Sequence, residues 1–168
     1  MMKFTLIATA FSVGMLTLSG ASYAGAGHNH DASHDASMEM QGDHDSTSGK
    51  PGNPAKVTRT MTVDMNDNMR FTPEKINVKR GETIKFVVKN SGRIKHEMVL
   101  GSTKELEEHA AMMKKMPGME HADANMVIVE PGKTGEIVWQ FSKAGKFDFA
   151  CLQPGHFEAG MKGKIAVK

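Results

Sequence analysis

The sequence predicts an all-β sandwich with one inserted helix, preceded by a long polar segment. Short apolar runs recur between residues 56 and 168, separated by turn-forming pairs such as Pro131-Gly132. Residues 104–116, with the sequence KELEEHAAMMKKM, interrupt this pattern with strong helix formers and stop at Pro117-Gly118. The length of 168 residues suits one domain.

The strand-like runs have the apolar pattern of strands with one buried face. Ile84-Lys85-Phe86 alternates apolar and polar side chains, whereas Ile137-Val138-Trp139 is continuously apolar. Many short strands within about 110 residues favour a β-sandwich. The predicted strands cover residues 57–65, 75–78, 83–89, 96–100, 126–129, 134–141, 146–150 and 164–167.

Residues 1–24 have the layout of a secretory signal peptide. Lys3 precedes a 15-residue apolar run over residues 4–18, and small residues follow up to Ala24. This run is shorter than the about 20 residues of a membrane span. We therefore expect cleavage after Ala24 or Ala26, export to a bacterial periplasm, and no membrane span in the mature chain. An uncleaved anchor is the alternative.

Residues 25–55 form a polar arm that contains no Val, Ile, Leu or Phe. Because such a stretch buries little apolar surface, we predict that it is disordered. Its residues 25–50 have a net charge of −4, against +5 for residues 51–168. The arm has four histidines that could capture a metal ion weakly, although a solvated linker would have the same composition. They are His28, His30, His34 and His44.

The composition indicates soft-metal chemistry. The chain has 15 Met, more than core filling usually needs, and a single cysteine, Cys151. One cysteine excludes an intramolecular disulfide, so in an exported protein this thiol must be buried, paired with another chain or bound to a metal. The near-neutral formal charge of +2 does not indicate nucleic-acid binding.

The spacing around Cys151 narrows the metal to copper. Cys151, His156 and Met161 follow one another at intervals of five residues between two predicted strands, and His96 opens a third strand. Taken singly, each is explained by core packing or by an ordinary surface histidine. Two imidazoles and a thiolate with a weak axial thioether are the ligands of a mononuclear blue-copper site. We therefore predict a type 1 copper site formed by these four residues.

At these positions the sequence resembles the cupredoxins, and the resemblance covers residues 56–168. It implies a Greek-key β-sandwich and matches His96, Cys151, His156 and Met161 to the ligand positions of the family. The resemblance rests on Phe71-x-Pro73-x-x-Ile76-x-Val78-x-x-Gly81-x-x-Ile84-x-Phe86-x-x-x-Asn90 before His96, and on Gly145-Lys-Phe147-Asp-Phe149-Ala-Cys151 with Gly155-His156, Gly160-Met161 and Gly163-Lys-Ile165-Ala-Val167.

Two residues depart from the common cupredoxin pattern. Glu97 stands where many members have an Asn that ties the ligand loops together, and Leu152 stands where Ser or Thr is common. These departures alter the hydrogen bonding expected around the thiolate. The leader, the HEMVL strand and the Met-rich insertion are similar to those of the CopI-type periplasmic cupredoxins, a group associated with copper tolerance in bacteria.

The Met-rich insertion, residues 101–125, predicts a second, softer copper site, since thioethers and imidazoles suit Cu(I). Alternatively, its helix packs on the sandwich through Leu106, Ala110 and Met113, and both interpretations could hold at once. The candidate ligands of this second site are His109, Met112, Met113, Met116, Met119, His121 and Met126.

These observations predict a periplasmic copper-binding protein that acts in copper tolerance by binding and redox-cycling copper. The alternative is an electron-transfer protein that passes single electrons between periplasmic redox partners. An enzyme is not expected, because the folded part has only four histidines and two are already assigned; a Cu(I)-oxidising activity stays open. Besides copper, the expected partner is a periplasmic redox or copper-handling protein, and we expect a monomer.

Overall fold

The computed structural model describes residues 48–116 and 122–168, in which ten strands form two five-stranded sheets. The first sheet has the order β1-β8-β5-β2-β3 and contains β1 (Lys50–Pro51), β2 (Arg59–Asn66), β3 (Arg70–Thr72), β5 (Thr83–Asn90) and β8 (Thr134–Gln140). The second has the order β4-β10-β9-β6-β7 and contains β4 (Lys75–Val78), β6 (His96–Gly101), β7 (Met126–Val129), β9 (Gly145–Ala150) and β10 (Lys162–Val167). The predicted β-sandwich is therefore confirmed.

The strands cross repeatedly between the two sheets. Each sheet contains one parallel pair, β2 with β5 and β4 with β10, while the other pairs are antiparallel. Both parallel pairs join strands that are not connected by a hairpin, as expected when a chain changes sheets between strands. This topology places β6 beside β9, with Val99 opposite Ala150.

One apolar core lies between the sheets. Trp139 of β8 is 1% exposed, and Phe71 of β3 meets Phe149 of β9 edge to face, with ring centroids 4.9 Å apart. Met65 and Met98 are completely buried in the same core. Part of the high methionine content therefore serves core packing rather than metal binding.

The helix α1 (Thr103–Lys115) confirms the predicted insertion between β6 and β7. It begins with a capping box, in which the Ser102 side chain accepts from the Glu105 N–H while the Glu105 carboxylate accepts from the Ser102 N–H. Its buried residues are Leu106, Ala110 and Met113, so the expected packing on the sandwich is confirmed. Within the two described ranges, no helix is long and apolar enough to span a membrane.

All eight predicted strands are present, with ends that differ by at most two residues. The two short strands β1 and β3 were not predicted. The arm prediction is wrong over residues 48–55, where β1 pairs with β8 and the Gly52 N–H donates to Val138 O over 2.9 Å. Backbone pairing at a sheet edge requires no apolar side chains, so composition did not reveal it. The predicted signal peptide and the four arm histidines lie outside the described residues.

Candidate metal centre

Three predicted ligands converge at one end of the sandwich. His96 begins β6, and Cys151 directly follows the neighbouring strand β9, so strand pairing brings the two residues together. His156 lies in the loop between Cys151 and β10. The donor atoms of these three residues lie within 4.8 Å of one another. Among the described residues they form the one such group of His, Cys, Asp and Glu side chains.

The distances between the donor atoms suit a shared cation. The Nδ1 atoms of His96 and His156 are 3.2 Å apart, and His156 Nδ1 is 3.2 Å from Cys151 Sγ. An imidazole nitrogen without a proton and a thiolate sulfur both offer a lone pair. Three such atoms that face one point repel one another, and a positive ion between them makes the arrangement favourable. Two imidazoles and one thiolate fit copper or zinc, and the adjacent Met161 favours copper.

Met161 lies in the same buried cluster as Cys151, and its side chain is completely buried. The Cys151 N–H donates to Met161 O over 3.1 Å, and the Met161 N–H donates to His156 O over 3.0 Å. Gly155 and Gly160 have φ angles of +84° and +89°, which allow the tight turns of this loop. The loop therefore closes on itself and places Met161 beside the three convergent residues.

Burial determines the protonation of the site. Both His96 and Cys151 are completely buried, whereas His156 is partly exposed. Burial raises the pKa of the Cys151 thiol to about 12 and lowers the pKa of His156 below its usual range. Without a metal, the site therefore holds a neutral thiol and a neutral His156 imidazole at pH 7.

Copper binding is expected to strengthen with pH, because the Cys151 thiol must lose its proton to become a ligand. With a thiol pKa of about 12, about one proton leaves per bound copper, and the apparent affinity should rise about tenfold per pH unit from pH 7 to 8. Chelator competition at several pH values, corrected for protonation of the chelator, measures this slope. An affinity that is independent of pH would contradict it, and Cys151→Ser should lack the slope.

Glu97 connects the ligand-bearing segments, as Asn does in the common cupredoxin pattern. Its side chain is 2% exposed, and its carboxylate accepts from Leu152 N–H over 2.9 Å and from Gln153 Nε2 over 3.1 Å. The Glu97 N–H lies 3.4 Å from Cys151 Sγ and donates to it. Glu97 therefore connects β6 both to the Cys151 thiol and to the loop that follows Cys151.

The second departure, Leu152, is explained by the inserted helix. Its side chain is 2% exposed and belongs to an apolar cluster with Leu106 and Ala110 of α1. A Ser or Thr at this position would bring a hydroxyl into that cluster, where burial without a hydrogen bond is unfavourable. The helix and the departure at position 152 are thus parts of one packing arrangement.

Replacing Glu97 with Ala is expected to destabilise the fold by about 1–3 kcal/mol and to shift the visible spectrum of the copper-loaded protein. The change leaves the buried Leu152 N–H without its acceptor and frees the loop beside the thiolate. Urea unfolding and absorption spectroscopy measure the two effects. The matched control is Glu136→Ala, which removes an exposed carboxylate paired with Lys85. Equal effects of the two variants on stability and spectrum would contradict this structural role of Glu97.

Asp67 also lies at the site, although no sequence pattern predicted it. It lies in the loop between β2 and β3, and its Oδ1 is 3.1 Å from His96 Nε2. The backbone N–H of Arg93 donates to its Oδ2 over 2.8 Å and is the main reason why the pKa of Asp67 is below its usual range. The contact joins residues that are far apart along the chain, so local spacing could not indicate it.

The residues predicted for the second copper site occupy different environments. Met113 and Met126 are 6% and 8% exposed and belong to the interior, whereas Met112 and Met116 are 39% and 44% exposed. His109 lies one helical turn before Met112 and is half-buried. Met119 and His121 lie outside the described residues.

Comparison with known proteins matches residues 57–168 to the family of copper binding proteins described as the plastocyanin/azurin family. The copper-resistant cuproprotein CopI of Rubrivivax gelatinosus is 54% identical over 145 residues, which cover 86% of this chain and 87% of that protein. The copper-resistant cuproprotein CopI of Vibrio cholerae serotype O1 is 36% identical over 169 residues, which cover 98% of this chain and 99% of that protein.

Solved structures agree with the fold. Dithionite-reduced auracyanin from Roseiflexus castenholzii aligns with a TM-score of 0.60 at 21% identity, covering 67% of this chain and 98% of auracyanin. Auracyanin B also gives a TM-score of 0.60, at 17% identity, covering 71% of this chain and 96% of that protein. At these identities the likeness shows a shared sandwich fold.

Proposed function

Because this chain belongs to the plastocyanin/azurin family of copper-binding proteins, we propose that His96, Cys151, His156 and Met161 hold one type 1 copper ion. The observation that supports this most directly is the group of three donor atoms within 4.8 Å, beside the buried Met161. When bound, copper supplies one-electron redox chemistry, and this donor set accommodates both oxidation states.

The protein residues restrict access to the proposed ion. His96, Cys151 and Met161 are completely buried, so water does not reach the site past these residues. His156 is the partly exposed member. Electrons or copper ions therefore reach the site past His156, while the Glu97 hydrogen bonds to Leu152 and Gln153 hold the start of the same loop in place.

The proposed biological role is copper tolerance in a bacterial periplasm, by binding copper and cycling it between Cu(I) and Cu(II). It is supported by the copper-resistant cuproproteins that are 54% and 36% identical to this chain. The basis of the periplasmic proposal is the signal-peptide pattern of residues 1–24. A Cu(I)-oxidising activity would be one form of this cycling.

Gene deletion tests this role. The deletion strain should grow poorly in added copper and respire normally without it, and wild-type protein should restore growth where Cys151→Ser does not. Normal growth in copper together with a respiratory defect would overturn the tolerance role in favour of electron transfer. Rescue by Cys151→Ser would show that tolerance does not require the type 1 site.

We also propose that exposed methionines of the inserted helix bind Cu(I) at a second site. Met112 and Met116 lie one helical turn apart on the exposed surface, near His109, whereas the buried Met113 and Met126 serve packing.

Replacing Met112, Met116 and Met119 together should lower the Cu(I) stoichiometry in anaerobic chelator competition. The matched control is Met113→Leu, and an unchanged stoichiometry in the triple variant would refute the second site.

The acidic arm is proposed to capture copper weakly through its four histidines. Deleting residues 25–47 should lower the total copper bound without altering the visible spectrum. A changed spectrum would show that the arm acts on the type 1 site instead.

A further inference from the structure

The imidazole of His96 has a carboxylate on the side opposite to the proposed copper. Its Nε2 lies 3.1 Å from Asp67 Oδ1, while its Nδ1 faces His156. An ionised carboxylate only accepts hydrogen bonds, so Nε2 is the nitrogen that carries the proton. Nδ1 is then left with a free lone pair at the point where the donor atoms converge.

The loop between β5 and β6 holds Asp67 in this position. The backbone N–H of Arg93 donates to Asp67 Oδ2 over 2.8 Å. That loop is shaped by the buried Asn90, whose Oδ1 accepts from Gly92 N–H and whose Nδ2 donates to Ile94 O. Position 92 has no room for a side chain, because a Cβ there would overlap Asp67 Oδ1. The two oxygens of Asp67 thus serve two different donors.

This contact differs from an ordinary surface ion pair. The Asp67 side chain is 38% exposed, and an exposed pair alone contributes little to stability. The His96 ring, however, is completely buried, and its Nε2 contacts the Asp67 carboxylate, which therefore restricts the orientation of the ring. Carboxylates that accept from a metal-bound histidine fix its tautomer and raise its basicity.

We propose that Asp67 is a positioning residue for His96. Its carboxylate selects the His96 tautomer in which Nδ1 carries no proton, and it thereby lowers the reduction potential of the site. The proposal rests on the copper site proposed above. A more basic imidazole donates more electron density, which stabilises Cu(II) relative to Cu(I). Asp67 therefore biases the site towards the oxidised ion.

An asparagine cannot replace Asp67 in this role, although it has nearly the same shape. Its single oxygen can accept from Arg93 N–H or from His96 Nε2–H, but not from both at their different positions. If the oxygen faces Arg93, the amide group presents a donor to Nε2 and favours the tautomer with the proton on Nδ1. Asp67→Asn is therefore expected to act against metal binding rather than to be silent.

The test combines a copper-free and a copper-loaded measurement on the mature chain. Nitrogen-15 NMR of the copper-free protein reports which nitrogen of His96 is protonated, and redox titration gives the potential. Asp67→Asn should lose the Nε2–H tautomer and weaken Cu(II) binding relative to Cu(I) about tenfold, which raises the potential by about 59 mV. Gly92→Ala, which displaces the carboxylate without removing it, should change both readouts in the same direction.

The matched control is Asp64→Asn, which removes the same charge from β2, where the carboxylate accepts from Ser91 Oγ. It should leave the His96 tautomer and the potential unchanged. A wild-type tautomer and potential in Asp67→Asn, or an equal shift in Asp64→Asn, would overturn the proposal. If wild-type protein shows no thiolate–copper band, the copper proposal fails, while the copper-free NMR still reports the action of Asp67.

Discussion

Replacing Cys151 with Ser is expected to abolish the intense visible absorption of the Cu(II)-loaded protein. In a type 1 site this band arises from charge transfer between the thiolate and copper. Serine has no sulfur atom and therefore cannot produce it. Cys151 is completely buried and its Sγ lies 3.2 Å from His156 Nδ1, so the variant places a hydroxyl where the proposed thiolate ligand stood. Visible spectra of both proteins, each with one equivalent of Cu(II), measure the effect.

The control for this experiment is Met113→Leu, which removes a buried thioether below the inserted helix and conserves volume. It should retain the full band. A wild-type protein without an intense band would overturn the copper-site proposal, whereas a band that persists in Cys151→Ser would assign it to another ligand.

Replacing Phe149 with Ala is expected to lower the free energy of unfolding by about 3–5 kcal/mol. The ring is completely buried, packs edge to face on Phe71, and lies opposite Gly163 in the β9–β10 register. Since small domains have about 5–15 kcal/mol of stability, this is a large fraction of the total. Urea unfolding of the metal-free protein measures the loss, with the exposed Lys146→Ala on the same strand as the control.

The space for the Phe149 ring comes from the missing side chain of Gly163. A Cβ at position 163 would overlap the ring, so Gly163→Ala should destabilise the wild-type protein. In the Phe149→Ala background the same change should cost much less, because the ring is gone. A double-mutant cycle measures this coupling, and strictly additive effects would contradict it.

Much of the fold and most of the proposed ligand set follow from local sequence patterns. The strands of four or more residues have apolar runs that either alternate or are continuous, and Cys151, His156 and Met161 lie close together along the chain. The strands β1 and β3 have only two and three residues, too few to produce a periodic pattern. Neither the Asp67 contact with His96 nor the Glu97 contact with Leu152 is visible in the sequence, because each depends on how distant segments meet in the fold.

Methionine content was a weaker indicator than ligand spacing. Buried methionines occur in both sheets and in the helix, where a flexible thioether fills irregular space as well as binding metal. Composition cannot separate these two uses, whereas burial can. Among the described residues, the buried methionines other than Met161 are Met65, Met98, Met113 and Met126.

The parallel pairing of β10 with β4 has a consequence for the order of events during folding. β10 directly follows Met161, and its Lys164 lies opposite Lys75 of β4. Contacts between such distant segments form late, because closing a long loop is entropically unfavourable. A chain in which β10 is not yet paired with β4 has no anchor for the loop between Cys151 and β10. The proposed ligands therefore come together only in the last steps of folding, when both sheets are complete.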